Sequence, residues 1–295
     1  MNQERRVSVV TDSGCSIRPD SKEAQESGVT IVPLEVSFWE NGHDVPYLDT
    51  SISPEEFYER MRTSKKLPKT SGVITGRLSE TFQNLSHKTQ SIMSIHITSE
   101  HSGVWQSAIL AKDIVDEVAR VEGKEPVPIE VIDTKQVSLT TWFPVKLADR
   151  LAQKGATLEQ ITSEVLEGLS KTHLYVTLQT FENLIKGGRA NELAKAVLAS
   201  ILSIYPVLGL KDGKLTGLAK ARTPKLARDT MVEMVGAAGK LVKVAVVHTN
   251  AIKTAESIKE ALRKMYKDTI PIYDAGPVLA VHAGEGAIGI AFQTD

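Results

Sequence analysis

Residues 7–16 read Val7-Ser8-Val9-Val10-Thr11-Asp12-Ser13-Gly14-Cys15-Ser16, a valine-rich run that stops in hydroxyls, an acid and a glycine. The apolar part predicts a short buried strand over 7–10. Small polar residues directly after such a strand are how an α/β protein offers hydrogen-bonding groups at the carboxyl edge of a parallel sheet. The same punctuation recurs twice in the first half. An apolar run over 91–97 leads into Thr98-Ser99-Glu100-His101-Ser102-Gly103, and one over 128–132 leads into Asp133-Thr134. A further strand is expected over 30–36, and helical spacing predicts helices over Pro54–Thr63, 78–86 and Val104–Val121. Strands alternating with helices in this order describe a mainly parallel sheet with helices on both faces.

The second half reads differently. A helix over 158–171 runs into a strand over 173–177, and more strands are expected over 206–211, Leu241–His248, 269–273 and 287–292. Asp212-Gly213 between apolar residues marks a hairpin, so antiparallel pairing and a second sheet are expected here. The chain has 295 residues, enough for two domains and for an enclosed ligand, and the boundary is placed near residue 155. That division gives residues 1–155 and 156–295.

Composition excludes several partners. Charged residues make up 24%, hydrophobic ones 41%, and the formal net charge is -1, which supplies no basic face for nucleic acid. The single cysteine, Cys15, rules out an intrachain disulfide, and no zinc-type spacing exists, so a reducing cytoplasm is expected. The opening MNQERRVSVV reaches Thr11 and Asp12 too soon for a signal sequence. The apolar stretch over 196–210 is interrupted by Ser200, Ser203 and Pro206 and predicts a buried helix entering a strand, not an integral membrane segment.

Hydroxyls after three strands converge on one sheet edge, where they either cap the following helices or meet a small anion. Ser102-Gly103 ahead of Val104 adds free amides at a helix start, where the dipole favours an anion by about 0.3–1 kcal/mol. No G-x-S-x-G elbow, H-E-x-x-H or P-loop pattern is present.

Five segments together carry a family resemblance: Thr11-Asp12-Ser13, Lys69-Thr70-Ser71, Ser99 to Gly103 with Gln106-Ser107-Ala108, Lys186-Gly187-Gly188-Arg189, and Gly276-Pro277 through His282, Gly284 and Gly286. In this order they resemble the DegV family of bacterial fatty-acid-binding proteins. The resemblance implies an N-terminal parallel three-layer α/β/α domain and a C-terminal two-layer α/β domain with a mixed sheet, a long-chain fatty acid lying between them. It implies a non-catalytic carrier with no cofactor and no metal, whose acid is presented to the ATP-binding subunit of a fatty acid kinase and phosphorylated to an acyl phosphate. Carried over by position, Thr70 and Ser102 hydrogen-bond the carboxylate, with Ser71, Ser99 and Gly103 as neighbours. Arg189 and His282 stand at the head-group mouth, and Arg222 fits a further position. Without the resemblance, Arg189 reads as a surface cation after a helix C-cap, and His282 as an interior histidine. The alternative function is a serine-dependent hydrolase or phosphatase acting on a small acyl substrate through Ser102 and His282.

The chain departs from the family pattern in three places. Gly72-Val73 stands where Gln-Pro is usual, Val104-Trp105 where a threonine follows the glycine, and Glu285 where the terminal motif has proline. A missing hydroxyl at 104 and an added carboxylate at 285 are expected to weaken an anion site. Trp105 and Trp142 either narrow a tail tunnel or serve as plain core.

Overall fold

A computed structural model describes residues 6–190 and 204–295. Strands β1 (Val7–Asp12), β2 (Val29–Val32), β6 (Ser91–His96) and β7 (Ile129–Asp133) form a wholly parallel sheet in the order β2-β1-β6-β7. Every residue of β6 is buried, as a strand covered on both faces requires. Alternate side chains divide between the two faces. Val7, Val9, Met93 and Ile95 pack with Leu139, Trp142 and Val145 of α5 (Leu139–Gln153), whereas Val10 and Ile92 pack with α3 (Thr75–Ser86) and α4 (Val104–Val121). Two short helices precede these, α1 (Lys22–Gln25) and α2 (Pro54–Thr63), the latter capped by the Ser53 hydroxyl with Pro54 in its first turn. Strand order reverses between β1 and β6, so their carboxyl ends bound the crevice where such sheets bind ligands.

The single strand expected over 30–36 is two strands in two sheets. Pro33 has no N–H for a ladder, so β2 ends at Val32 and the chain restarts as β3 (Glu35–Glu40). There it pairs antiparallel with β4 (His43–Leu48) and β5 (Lys69–Ser71), a three-stranded sheet that the sequence reading did not foresee. Asn41 and Gly42, at φ 49° and 89°, make the β3–β4 turn.

The second sheet is mixed, in the order β10-β9-β8-β13-β11-β12, built from β8 (Thr172–Thr177), β9 (Tyr205–Lys211), β10 (Lys214–Ala221), β11 (Leu241–His248), β12 (Ile272–Asp274) and β13 (Ile288–Thr294). Only its β11–β12 pair is parallel. Asp212 and Gly213, at φ 51° and 80°, form the expected hairpin between β9 and β10. Of the helix expected ahead of β9, residues 196–203 lie outside the described residues. Position 155 is a glycine at φ 81° in the turn between α5 and α6 (Leu158–Ser170), and α6 packs along α5.

Four further helices complete the fold. Helix α7 (Glu182–Lys186) leads to Gly187-Gly188-Arg189, while α8 (Pro224–Ala237) and α9 (Ile252–Leu262) cover one face of the mixed sheet. The last, α10 (Pro277–Ala283), leaves the mixed sheet and buries Val278, Ala280 and Val281 among Val36, Ile74 and Leu78. The C-terminal segment therefore completes the core of the N-terminal half. Among the described residues, no helix is long and apolar enough to cross a membrane.

Candidate ligand-binding site

An apolar cavity separates the carboxyl edge of the parallel sheet from the inner face of the mixed sheet. Ile97 and Val137 form one wall, Leu174 and Val176 of β8 with Leu208 and Leu210 of β9 the other, and Leu279 of α10 closes between them. The spacing of two along β8 and β9 aims these side chains at the same face. The space open to the centres of water-sized spheres is about 140 Å³. A single water needs roughly 10–15 Å³ on that measure, so the slot admits a chain of atoms.

Polar nitrogens gather on its wall: His101, Arg189 and His282 all line the cavity. Thr70 reaches the group from β5, its Oγ1 hydrogen-bonded to His282 Nε2 at 2.8 Å. Arg189 is held by donating from Nε to the His101 carbonyl at 3.1 Å and from Nη1 to the Gly187 carbonyl at 2.6 Å. Gly187 is required by closeness, since a Cβ there would stand 2.4 Å from His282 Nδ1. Two imidazole nitrogens, His282 Nδ1 and His101 Nε2, are buried with no hydrogen-bond partner. Buried polar atoms of this kind are rare and costly unless something else satisfies them.

Electrostatics points the same way. Burial, then the nearby charge of Arg189, then His101, push the His282 pKa down to about 3. Burial and Arg189 likewise lower His101. A site that resists further positive charge in the free protein is one where an anion is welcome. Because the folded His282 value lies below the ordinary 6.5, its neutral ring contributes stability above that pH and loses it as pH falls towards 3. Urea midpoints measured from pH 7.5 to 4.5 are therefore expected to show wild type losing ground to His282→Gln as the solution is acidified. A pH-independent gap between the two would refute the assignment.

The other expected residues fall in three places. Ser102 and Gly103 lie beside the Thr70 strand and off the cavity wall: Ser102 Oγ accepts from Val104 N at 3.3 Å, and an ideal Cβ on Gly72 would lie 2.3 Å from that oxygen and 3.1 Å from Gly103 N. Glycine at 72 thus lets the loop close onto the start of α4, and Ser107 locks it there by donating to the Gly72 carbonyl at 3.2 Å. Ser71 Oγ accepts from Val73 N at 3.3 Å within the same loop. Ser99 is turned elsewhere, taking a hydrogen bond from Lys135 Nζ at 3.2 Å while its amide donates to Asp133. Arg222 is exposed after β10 and lies off the wall. The sequence reading missed His101, Ser138, His248 and Thr249, all on the cavity wall. The Ser99–Gly103 segment brackets His101, and the positive φ of Ser138, 60°, is a backbone signal that a sequence does not display.

One expectation requires correction. The Glu285 carboxylate does not oppose an anion at the mouth, because Arg62 donates to it at 2.8 Å and Asn250 at 2.6 Å. Neither tryptophan narrows the cavity: Trp142 is core and donates to Glu23 at 2.9 Å, and Trp105 lies off the wall. Ser102 and His282 do not form the nucleophile–base pair that the hydrolase reading needs, since the His282 nitrogen that is engaged faces Thr70. A Ser–His–Asp chain does exist at the Thr11-Asp12-Ser13 motif. Ser94 Oγ and His96 Nε2 are 2.7 Å apart and His96 Nδ1 and Asp12 Oδ2 3.0 Å, yet all three side chains are sealed from solvent. It braces β1 against β6.

Comparison with known proteins decides the family. The model of the family described as "Uncharacterised protein, DegV family" matches residues 6–295. The chain belongs to the DegV family. A DegV domain-containing protein of Halalkalibacterium halodurans is 31% identical over 295 residues, covering 98% of this chain and 99% of its own. One from Clostridium acetobutylicum is 31% identical over 296 residues, with 98% of both chains covered. Among solved structures, DegV of Bacillus subtilis, described as a fatty acid binding protein, superposes with a TM-score of 0.85 at 26% identity, over 98% of this chain and 99% of that one. A DegV family protein of Thermus thermophilus, described by its fatty acid binding, superposes at 0.83 and 25% identity over 98% and 100%. The parallel sheet followed by a mixed sheet is thus the DegV fold.

Proposed function

We propose that this DegV protein is a non-catalytic carrier that holds a long-chain fatty acid in the apolar cavity and presents it to an ATP-dependent fatty acid kinase subunit for phosphorylation. The observation that carries the reading is an apolar slot bordered by two unpartnered buried imidazole nitrogens and a half-buried arginine. The carboxylate lies among His282, Arg189 and Thr70, with Ser102 and the Gly103 amide on the outer side and Ser71 steadying the loop. Ser99, committed to Lys135 and Asp133, stays outside the set. The two units divide near residue 155, and the carrier works in the cytoplasm.

Magnitudes assign the roles. Each buried methylene contributes about 0.8 kcal/mol, so a tail of about fifteen offers on the order of 12 kcal/mol before ordering costs. A hydrogen bond to a charged group adds about 1.5–3 kcal/mol. The tail sets affinity and the polar cluster sets orientation. The fatty acid binding of the Bacillus subtilis and Thermus thermophilus relatives supports the same ligand class.

The test is mass spectrometry of an organic extract of the purified protein, repeated on Thr70→Val and Ser102→Ala. A long-chain acid is expected from wild type, with retention about tenfold lower in Thr70→Val. No extractable lipid and no uptake of added palmitate or oleate would end the proposal. Turnover of acyl esters that vanishes in Ser102→Ala would favour the hydrolase reading. Labelled phosphate should reach the fatty acid only when kinase, ATP and this chain are combined.

A further inference from the structure

A second cavity, about 890 Å³, opens between α5 and β11, away from the residues that form the head-group cluster. That is within the roughly 300–1,000 Å³ usual for small-molecule sites. Charged side chains line it, and most are already satisfied. Lys22 pairs with Glu26 at 3.6 Å, and Glu23 accepts from Lys146 at 2.5 Å, from Trp142 at 2.9 Å and from Tyr273. Asp149 accepts from the Gly28 amide at 3.1 Å and from Gln153 at 2.8 Å.

Two cations are left over. Among the described residues, Arg150 and Lys243 make no hydrogen bond or ion pair, although both face this cavity. Lys243 is half-buried with its ammonium 5.5 Å from the centre of the Phe143 ring, at the point where β11 slips register against β13. Burial, then the charges of Arg150 and Lys146, push its pKa down. A half-buried ammonium crowded by two other cations costs free energy that an apolar residue at 243 would avoid. An anion seated between the two unpaired cations removes that cost.

We propose that this cleft is a second binding site that takes a phosphate-bearing small molecule between Arg150 and Lys243. Phosphate suits the pair better than a carboxylate does. Its several oxygens accept both the guanidinium fork and the ammonium, and its second charge matches the second cation. Lys146, shared with Glu23, flanks the site, and Phe143 supplies an apolar surface for the rest of the ligand. The inference is independent of the fatty acid reading, because it uses none of the same side chains.

The test is titration calorimetry of the full chain, at low salt, with inorganic phosphate, pyrophosphate and ATP as separate probes. Saturable pyrophosphate binding is expected, weaker by about tenfold in Arg150→Gln and in Lys243→Gln, as loss of one charge-assisted contact implies. Arg150→Lys is expected to recover part of the affinity lost in Arg150→Gln, because it restores the charge without the fork, and added salt to reduce binding. Fatty acid retention should be unchanged in every variant. ATP tighter than pyrophosphate would identify a nucleotide, and equal affinities would identify the phosphate group alone; either result supports the site. Arg150 is exposed, so its variant folds and keeps the test decisive even if Lys243→Gln does not. No binding of pyrophosphate or ATP at millimolar concentration, or binding indifferent to both variants, overturns the proposal.

Discussion

Replacing palmitate by decanoate is expected to weaken binding to this protein by about three orders of magnitude. Six methylenes at about 0.8 kcal/mol each amount to roughly 5 kcal/mol, and each 1.4 kcal/mol is tenfold in the dissociation constant. The expectation follows from the walls: Leu174, Val176, Leu208 and Leu210 present only hydrocarbon to the tail. Esterifying the carboxyl should cost far less, about ten- to a hundredfold, because it removes one or two charge-assisted contacts and leaves the tail buried. Competition against a fluorescent fatty acid measures both series. If chain length changed affinity less than tenfold while esterification abolished it, the polar cluster would be the main anchor and the buried-tail account would be wrong.

Asp12→Ala is expected to destabilise the fold by about 3–5 kcal/mol, a large part of the 5–15 kcal/mol usual for a whole protein. Asp12 Oδ1 accepts from Gly14 N at 2.9 Å, and Oδ2 accepts from Ile97 N at 3.2 Å and meets His96 Nδ1 at 3.0 Å. Alanine leaves these groups without a partner in a fully buried place, each carrying its own desolvation penalty. Asp12→Asn keeps one acceptor and should lose less. Urea denaturation gives both values; a shift under 1 kcal/mol for the alanine variant would show that the chain through His96 and Ser94 does not brace the sheet. The same variant should also disturb fatty acid retention, since Ile97 both receives this support and lines the cavity.

Much of the architecture was legible because it is written locally. The valine-rich run before Thr11, the Asp212-Gly213 turn and Ser53-Pro54 at the start of α2 each act within a few residues, and each stands where the sequence places it. The failures share a cause as well. Pro33 divides one apolar run between two sheets, and β4, with Pro46 and no buried residue, shows no strand's alternation. Helix α5 was hidden by Pro144 inside it. Tertiary packing overrides local preference at these points.

The polar cluster at the cavity was only half legible. Thr70, Arg189 and His282 were named from their motifs, but His101 was not, although the charge of Arg189 lowers its pKa as it lowers that of His282. Nothing within a few residues of His101 announces that a guanidinium 88 positions later will rest on its carbonyl.

The sequence by itself determined most strands of the parallel and mixed sheets, the hydroxyls at the carboxyl ends of the parallel strands, and the glycines that permit tight turns, because backbone propensity and side-chain spacing act over short distances. Tertiary structure alone decided which polar groups meet. Thr70 and His282 are 212 residues apart and touch only because α10 crosses from the mixed sheet into the other core. That crossing also strips water from the imidazoles, and desolvation, a property of the assembled interior, turns His282 into a ring held neutral beside the cavity.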